Sequence, residues 1–320
     1  MTKLQRLSLV ALLTVGTSCS VAADFPTKPI RLVVPFPPGG TLDILARGVG
    51  PELTARLGQP VVIDNRPGAN GAIASEFVAK ASADGHTLLI GGGSGAAVHA
   101  LLRQSSYDPL KAFAPVGTLA TFASVLIVNP TMPASSVQDL IALAKASPGT
   151  LSYGSPGTGN INNLVGELFK SLAGVDMVHV PYKGASLVIT DVIAGHVPVG
   201  FVLLPGAMAH LRSGKLKVLA VTTEQRVGAL PNVPTMSEAG VPLVLFDWAG
   251  IFAPAGTPID VIARLNQELA RVTGSPAMRQ RWIEQGFEPK TSTADETAAL
   301  MKADADKWAR VVKQTGIRLD

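Results

Sequence analysis

Two glycine-rich turns are the segments of this sequence whose residue types best suit chemistry. The first is Pro35-Phe36-Pro37-Pro38-Gly39-Gly40-Thr41, and the second is Ser155-Pro156-Gly157-Thr158-Gly159-Asn160. Each follows a strand pattern and precedes a helix pattern, so free N–H groups and the positive end of a helix dipole converge there. Each turn is therefore a candidate anion site. A tight turn that needs glycine for positive φ is the alternative explanation for either turn alone.

Other chemistry has little support in the sequence. The five histidines do not pair at metal-ligand spacing, and the single cysteine, Cys19, belongs to no cluster. Asn162 stands where a dinucleotide fingerprint has its third glycine, and no Walker lysine follows a glycine-rich loop. Neither Ser94 nor Ser155 lies in a nucleophile elbow. We expect no cofactor, no metal and no catalysis, although an exported hydrolase or isomerase using the same cleft stays as an alternative.

The elements that must position the first turn alternate between strands and helices. Strand patterns at 30–34, 61–63 and 88–90 alternate with helix patterns at 42–57 and 73–81. This order is typical of a parallel sheet whose crossover connections are helices. The first glycine-rich turn then lies at the carboxyl edge of that sheet.

A second series of elements begins after Pro130. A capping-box pattern at 136–139 starts a helix that ends at 146. The strand and helix patterns that follow are at 151–153, 164–172, 177–180, 187–194, 197–203 and 216–221. The C-terminal third adds a strand pattern at 244–252 and helices from Pro258, Pro276 and Thr293, which we expect to cover the first sheet.

We therefore predict an α/β protein of two lobes, each a wound mixed or parallel sheet flanked by helices. Residues 24–124 and 248–320 form the first, discontinuous lobe, and residues 125–247 form the second. The chain then crosses between lobes near 123–128 and 244–250. If the two glycine-rich turns face each other, a small carboxylate can be gripped from both sides.

Composition and charge agree with a folded protein of two cores. The chain has 320 residues, of which 47% are hydrophobic and 16% charged, and this excludes disorder. The formal net charge of +4 falls to +2 when Lys3 and Arg6 are removed with residues 1–23. Because aromatic residues are few and no basic run exists, a nucleic-acid partner has no electrostatic basis.

The N-terminal segment 1–23 predicts a secretory signal peptide. Lys3 and Arg6 precede an apolar run at 7–15, and small residues lead to the end of the segment. The run is too short to span a bilayer, so we expect cleavage before Asp24 and export of the protein. Lipid attachment at Cys19 is less favoured because Gly16 stands where such a site has leucine. An ordinary N-terminal helix is a further alternative.

A family resemblance extends over nearly all of the mature chain. The segments that carry it, in order, are Lys28–Arg47, Asn65–Gly71, Asp84–Leu89, Leu151–Gly157, Val180–Gly184, Leu219–Thr222, Pro231–Thr235 and Ala253–Pro258. Each segment alone is weakly specific, but their number and order are highly specific. Together they resemble the Bug family, also called TctC-like, the periplasmic solute-binding components of tripartite tricarboxylate transporters.

The resemblance implies a type II-like Venus-flytrap fold, in the periplasm, that closes on one small organic anion as a monomer and delivers it to membrane permease subunits. Backbone groups of the two turns and bridging waters would hold the ligand. Carried over from the family, the ligand-binding residues in the first lobe are Phe36, Pro38, Gly39, Gly40, Asp43 and Ser94. Those in the second lobe are Ser155, Gly157, Thr158, Gly159, Asn160, Asn163 and Tyr182.

Several of these residues have structural alternatives. Asp43 lies four residues before Arg47, so the two can form a local ion pair, and Phe36 can belong to the core. Tyr182 needs a partner for its hydroxyl wherever it is buried. The segment 65–68 favours a structural turn, and Trp248 favours a packed position beside the second lobe crossing.

Two departures from the family pattern bear on the ligand. Asn163 stands where members often have histidine, and Val202 stands where many have an acid that suits an ammonium group. The absence of an acidic residue at position 202 favours a plain carboxylate ligand, such as a di- or tricarboxylate or an aromatic acid, over an amino acid. A periplasmic sensor that presents the same ligand to a membrane receptor is an alternative function.

Overall fold

Strands and helices alternate along the computed structural model, which describes residues 25–92 and 108–315. The strands are β1 (Ile30–Val34), β2 (Val61–Asn65), β3 (Thr87–Gly92), β4 (Phe113–Val128), β5 (Ser152–Ser155), β6 (Val178–Pro181), β7 (Val199–Leu203), β8 (Lys217–Val221), β9 (Phe246–Pro254) and β10 (Glu288–Pro289). The helices are α1 (Thr41–Leu57), α2 (Ala72–Ala79), α3 (Pro109–Ala112), α4 (Val137–Ala146), α5 (Ile161–Ala173), α6 (Ala185–Ala194), α7 (Leu204–Arg212), α8 (Ile259–Gly274), α9 (Pro276–Glu284) and α10 (Ala294–Thr315). The predicted signal peptide and Ser94 lie outside the described residues.

The long strand β4 joins two groups of strands. Its first part pairs with β9 and β10, and beyond β9 lie β3, β1 and β2. Its second part pairs with β7 on one side and β8 on the other, and beyond β7 lie β5 and β6. Strands β1, β2 and β3 are parallel, as are β5, β6 and β7, whereas β4 is antiparallel to all its partners. The predicted α/β fold of two lobes with mixed sheets is confirmed.

Each lobe has apolar cores on both faces of its sheet. In the first lobe, Leu45 of α1 and Trp282 of α9 share one cluster, and Trp248 of β9 packs with α2 on the opposite face. In the second lobe, Phe169 of α5 and Met208 of α7 belong to separate clusters. Each lobe thus has apolar cores of its own on both faces of its sheet, which agrees with the hydrophobic composition.

The last helix connects the two lobes. Near its start, Thr297 contacts Thr118 of β4, with 3.3 Å between the hydroxyl oxygens. Towards its end, Trp308 and Val311 are buried in the second-lobe cluster that includes Phe169. The lobe boundaries given above stay a prediction, but this packing shows that the segment after 248 contributes to both cores.

Local sequence signals explain how the helices begin. The capping box at the start of α4 is confirmed, because Ser136 Oγ accepts from Asp139 N–H at 3.1 Å and Asp139 Oδ2 accepts from Ser136 N–H at 3.0 Å. Hydrogen bonds from Ser135 and Ser136 lower the pKa of Asp139 to about 2.

None of the helices within 25–92 and 108–315 combines the length and apolar character that a membrane span needs.

Candidate ligand-binding cleft

The two glycine-rich turns face one cavity between the lobes. This inner chamber has a volume of about 870 Å³, part of which is open to solvent. Its lining residues are Phe36, Pro37, Gly40, Thr41, Leu42, Asn70, Gly92, Phe122, Pro156, Gly159, Asn160, Ile161, Asn162, Ala185, Ser186, Leu203 and Asp247. Both lobes therefore supply the walls, with a helix amino end from each.

A second cavity, the outer vestibule, lies next to the inner chamber. Its volume, including space open to solvent, is about 1040 Å³, and it shares Phe36, Pro37, Asn70 and Pro156 with the chamber. The segments 67–71 and 182–184 form the rest of its lining. The shared residues therefore lie between the chamber and the vestibule.

The amino end of α1 is open towards the inner chamber. Its N-cap residue is Gly40, with φ −78° and ψ 167°, and no side chain of the described residues caps the helix. Thr41 and Leu42, in the first turn, line the chamber. Because the first N–H groups of a helix have no acceptor inside the helix, an anion in the chamber can take the place of the missing cap.

The buried Asp43 side chain stabilises the first glycine-rich turn by accepting a hydrogen bond from it. Asp43 is only 2% exposed, and its carboxylate accepts from Gly39 N–H at 2.9 Å, from Arg47 Nε at 2.9 Å and from Asn65 Nδ2 at 2.9 Å. Asn65 also donates to the Phe36 carbonyl at 3.0 Å. The local Asp43–Arg47 pair is confirmed. Asn65, the last residue of β2, also supports the first turn, and both oxygens of the Asp43 carboxylate accept hydrogen bonds from protein donors.

Replacing Asp43 with asparagine should destabilise the protein in a pH-dependent manner. Burial raises the pKa of Asp43. Hydrogen bonds from Arg47, Gly39 and Asn65 and the charge of Arg47 lower this pKa by more, so the net result lies below the ordinary value of 3.8. The ionised carboxylate therefore stabilises the fold above pH 3.8, and this contribution is lost as the pH falls through the lower folded value. We expect D43N to lose about 1–3 kcal/mol of unfolding free energy at pH 7, because donors would face an amide NH₂.

Urea denaturation of D43N and the parent at pH 7 and pH 3 checks this prediction. The difference between the two proteins should shrink at the lower pH. A constant difference would show that the carboxylate does not ionise as described.

The second turn is closed by a hydrogen bond with the same four-residue spacing as the first, but its acceptor is a neutral side chain. Gly159 N–H donates to Asn163 Oδ1 at 2.9 Å, four residues on, as Gly39 donates to Asp43. Asn163 Nδ2 donates to the Tyr153 hydroxyl at 3.0 Å, and that hydroxyl donates to Glu167 at 2.6 Å. Burial and the bond to Glu167 raise the pKa of Tyr153. Asn163 is thus a buried support of the turn.

Unlike α1, helix α5 carries its own cap. Asn160 Oδ1 accepts from Asn162 N–H at 3.0 Å and from Asn162 Nδ2 at 3.1 Å. Asn162 Oδ1 in turn accepts from Ser124 Oγ at 2.9 Å, and Ser124 N–H donates to Thr222 Oγ1 at 3.1 Å. The amino end of α5 is thereby tied to the strand β4 where it crosses between lobes.

Ser155, which is fully buried, forms a hydrogen bond with the half-buried His179. Ser155 Oγ lies 2.7 Å from His179 Nε2 and 3.2 Å from the Gly157 carbonyl, and Ser155 is fully buried. Burial lowers the pKa of His179, which keeps the ring neutral near pH 7. A nucleophile must reach its substrate, so this pair supports the turn rather than catalysis.

Tyr182 and Asn70 lie where the lobes approach each other. Tyr182 lines the outer vestibule, and its hydroxyl donates to Asp191 at 2.7 Å; burial and this bond raise its pKa to about 12. Asn70, from the first lobe, donates through Nδ2 to the Thr158 carbonyl of the second-lobe turn at 2.6 Å. Asn70 has φ 53° and ψ 35°, the left-handed region that asparagine tolerates better than most residues.

The predicted site residues fall into three groups. Phe36, Gly40, Gly159 and Asn160 line the inner chamber, and Phe36 and Tyr182 line the outer vestibule. The predicted residues absent from both linings are Pro38, Gly39, Asp43, Ser155, Gly157, Thr158 and Asn163. Of these, Asp43, Ser155 and Asn163 are buried and bonded within the protein, so their geometry supports the turns and does not present them to a ligand. Ser94 lies outside the described residues.

Other lining residues were not predicted. Thr41, the last residue of the first turn, and Asn162, two residues after the second turn, lie in the first turns of α1 and α5, a position that the sequence could have indicated. Phe122 and Asp247 lie opposite each other on β4 and β9, and only the fold brings them to the chamber. Asn70 directly follows Ala69 in the segment 65–71, of which only 65–68 was interpreted, as a structural turn.

Comparisons with known proteins agree with this geometry. Residues 45–317 match the family model described as "Tripartite tricarboxylate transporter family receptor". The chain is 36% identical to protein BugT of Bordetella pertussis over 323 residues, which is 100% of this chain and 99% of that protein.

Two solved structures with bound ligands have the same fold. Rpa4515 of Rhodopseudomonas palustris with adipate is 38% identical, with a TM-score of 0.89, and the match covers 92% of this chain and 99% of that one. MatC of the same organism with malate is 30% identical, with a TM-score of 0.85, and the match covers 90% and 100%. The matching family model is that of a transporter receptor and not of an enzyme. This chain belongs to the tripartite tricarboxylate transporter receptor family, TctC.

Proposed function

We propose that this protein is a periplasmic receptor that captures a small organic carboxylate between its lobes and delivers it to a tripartite tricarboxylate transporter permease. The observation that carries this proposal is the uncapped amino end of α1, which lines one chamber with the glycine-rich turn of the other lobe. Relatives with bound adipate and malate support the ligand class.

The physical basis is compensation of a buried charge. Moving a carboxylate out of water costs several kcal/mol of free energy unless hydrogen bonds from the protein replace those from water. For an uncharged polar group this cost is on the order of 2–7 kcal/mol. N–H groups of Thr41 and Leu42 supply such bonds, and the dipoles of α1 and α5 both place positive charge at the chamber. The ligand carboxylate thereby acts as the N-cap of α1, with Gly159 and Asn160 approaching from the second lobe.

Ligand and lobes stabilise each other in the closed form. Asn70 bonds to the Thr158 carbonyl across the cleft, and a Cβ at Gly184 would lie 3.3 Å from the Pro37 side chain. Contacts of this kind exist only when the lobes are close together. A ligand that touches both lobes shifts the population to this form by the contacts it makes there alone.

Replacing Asn70 with glycine should speed ligand release. Glycine keeps the left-handed backbone of this position without strain but removes the bond to Thr158. The loss of one neutral hydrogen bond predicts a dissociation rate about 2- to 10-fold higher, with little change in the association rate. Stopped-flow fluorescence with a bound acid measures both rates. An unchanged dissociation rate would contradict a role of Asn70 in closure; N70A is a less clean variant because alanine adds backbone strain.

The permease is the proposed partner, and the periplasm after removal of residues 1–23 is the proposed location. The alternative, a sensor that presents the same ligand to a membrane receptor, uses the same closed form. Deleting the genes of the proposed permease and measuring uptake of the bound acid separates the two: transport predicts loss of uptake, and sensing predicts unchanged uptake. Calorimetric titration of the mature protein with organic acids tests capture itself, and the absence of binding to any acid would contradict it.

A further inference from the structure

The strand β4 passes from the first-lobe sheet to the second-lobe sheet between two consecutive residues. Ala123 pairs with Phe246 of β9, whereas Ser124 pairs with Leu203 of β7. Leu245, directly before β9, lies on a second segment that joins the two sheets. Because hinges are short segments that absorb changes of φ and ψ, we expect rotation of the lobes to act on the backbone at these two points.

The fully buried Thr222, which directly follows β8, bonds to both of these segments. Its Oγ1 accepts from the Ser124 N–H at 3.1 Å. The same oxygen lies 2.6 Å from the Leu245 carbonyl oxygen and 3.1 Å from the Ser124 carbonyl oxygen, so its one hydrogen donates over the shorter distance, to Leu245. In the backbone, Leu245 N–H donates to the Thr222 carbonyl at 2.8 Å, and Thr222 N–H donates to the Ser124 carbonyl at 3.0 Å. One residue thereby holds the two crossing segments together.

The Ser124 side chain extends these contacts to the inner chamber. Its Oγ donates to Asn162 Oδ1 at 2.9 Å, and Asn162 Nδ2 donates to Asn160 Oδ1 at 3.1 Å. Both asparagines line the chamber, whereas Ser124 and Thr222 are absent from both cavity linings. We call the connected residues Asn160, Asn162, Ser124, Thr222 and Leu245 the hinge chain. Since Ser124 and Asn162 are at most 2% exposed, breaking the bond between them leaves a buried polar group that water does not reach.

We propose that the hinge chain couples ligand contact at the amino end of α5 to closure of the lobes, and that Ser124 and Thr222 are positioning residues for binding. This inference rests on the proposed capture of a carboxylate in the inner chamber. A ligand that contacts Asn160 or Asn162 restrains the Asn162 side chain and, through it, the rotamer of Ser124. Because Ser124 lies where β4 changes sheets, the ligand and the intact hinge chain favour the same geometry, that of the closed form.

This coupling has a kinetic consequence. A ligand held between the lobes leaves after the lobes separate, so a hinge chain that stabilises the closed form slows ligand release and leaves capture by the open form unchanged. Loss of one bond in the hinge chain removes this stabilisation but takes no chamber-lining group away from the ligand. Affinity should therefore fall through faster reopening, without the loss of any ligand contact.

Three variants separate coupling from structural support. S124A removes the side-chain bond to Asn162 and leaves the backbone bonds between position 124 and Thr222 in place. T222V keeps the shape of the side chain and removes the hydroxyl that links the two crossing segments. T273V is the matched control, because Thr273 is also fully buried, its Oγ1 lies 2.6 Å from Thr291 Oγ1, and it is absent from both cavity linings.

Energy transfer between fluorophores on K80C and K145C reports the distance between the lobes. Lys80 and Lys145 are exposed, one on each lobe, and the sequence has no cysteine after Cys19. The mature chain and each variant are titrated with succinate, adipate, citrate and benzoate, and calorimetry shows which of these acids bind. Stopped-flow mixing gives the closing and reopening rates, and urea denaturation gives the unfolding free energy.

In S124A and T222V, half-closure should need about 5- to 20-fold more of the acid that closes the unmodified protein, because reopening is faster by that factor. T273V should lose unfolding free energy to a similar extent but close at the concentration that closes the unmodified protein. Half-closure of S124A at that same concentration, an equal shift in T273V, or binding without a change in energy transfer would overturn the inference and leave carboxylate capture intact.

If none of the four acids binds the unmodified protein, the proposed function fails and the inference fails with it. S124A keeps the backbone bonds at the hinge, so it decides the question even if T222V does not fold.

Discussion

Replacing Gly40 with aspartate should abolish ligand binding while making the protein harder to unfold. Gly40 is the N-cap of α1 with extended φ and ψ, and a Cβ there would meet only the Pro37 carbonyl at 3.5 Å, an ordinary contact. The new carboxylate would cap the helix and stabilise it by a few tenths of a kcal/mol relative to glycine. It would also occupy the N–H groups that the ligand needs and place a negative charge beside it. We expect the dissociation constant to rise at least about 100-fold, equivalent to about 2.7 kcal/mol.

G40N is the matched control for this variant. Asparagine caps as well as aspartate does but brings no charge. It should stabilise the protein to a similar extent and weaken binding less than G40D, because repulsion is absent. Thermal unfolding without ligand and calorimetry with a bound acid measure the two effects. Retained binding in G40D would show that the ligand carboxylate does not lie at the amino end of α1.

Replacing Trp308 with alanine should cause the largest loss of stability. The side chain is fully buried in the second-lobe core, on a helix that begins against the first lobe. Its Nε1 donates to Asp304 at 3.2 Å, and Lys307 pairs with the same carboxylate. Removing a buried tryptophan costs about 3–5 kcal/mol through lost burial and the cavity left behind.

Urea denaturation of W308A and W308F measures this loss. Phenylalanine retains most of the buried volume, so W308F should lose less than half as much. A loss below about 1 kcal/mol in W308A would indicate that α10 is not part of the second-lobe core.

The sequence predicted those parts of the fold whose signals are local. The capping box at Ser136, the glycines of the two turns, with φ 82° at Gly39 and 72° at Gly159, and the proline starts of α8 and α9 all act within a few residues. Strand β4 was not predicted because it is central in both sheets, so both of its faces are largely buried and no alternation appears. Pro115 and Gly117, at irregularities of its pairing with β9, obscure the pattern further.

The candidate site was predicted only as far as its turns. A residue four positions after a turn glycine can bind a ligand or close the turn, and spacing does not separate these roles for Asp43 and Asn163. Contacts between distant residues were beyond the sequence patterns as well. Asn70 and Thr158 are 88 residues apart, and Asp247 reaches the chamber only because β9 returns beside β4.

A crystal structure of the mature protein with its tightest-binding acid tests the account most directly. One ligand carboxylate should accept hydrogen bonds from the N–H groups of Thr41 or Leu42 while the same molecule contacts Gly159, Asn160 or Asn162 of the second lobe. A ligand held by one lobe alone, or bound away from the amino end of α1, would contradict the account.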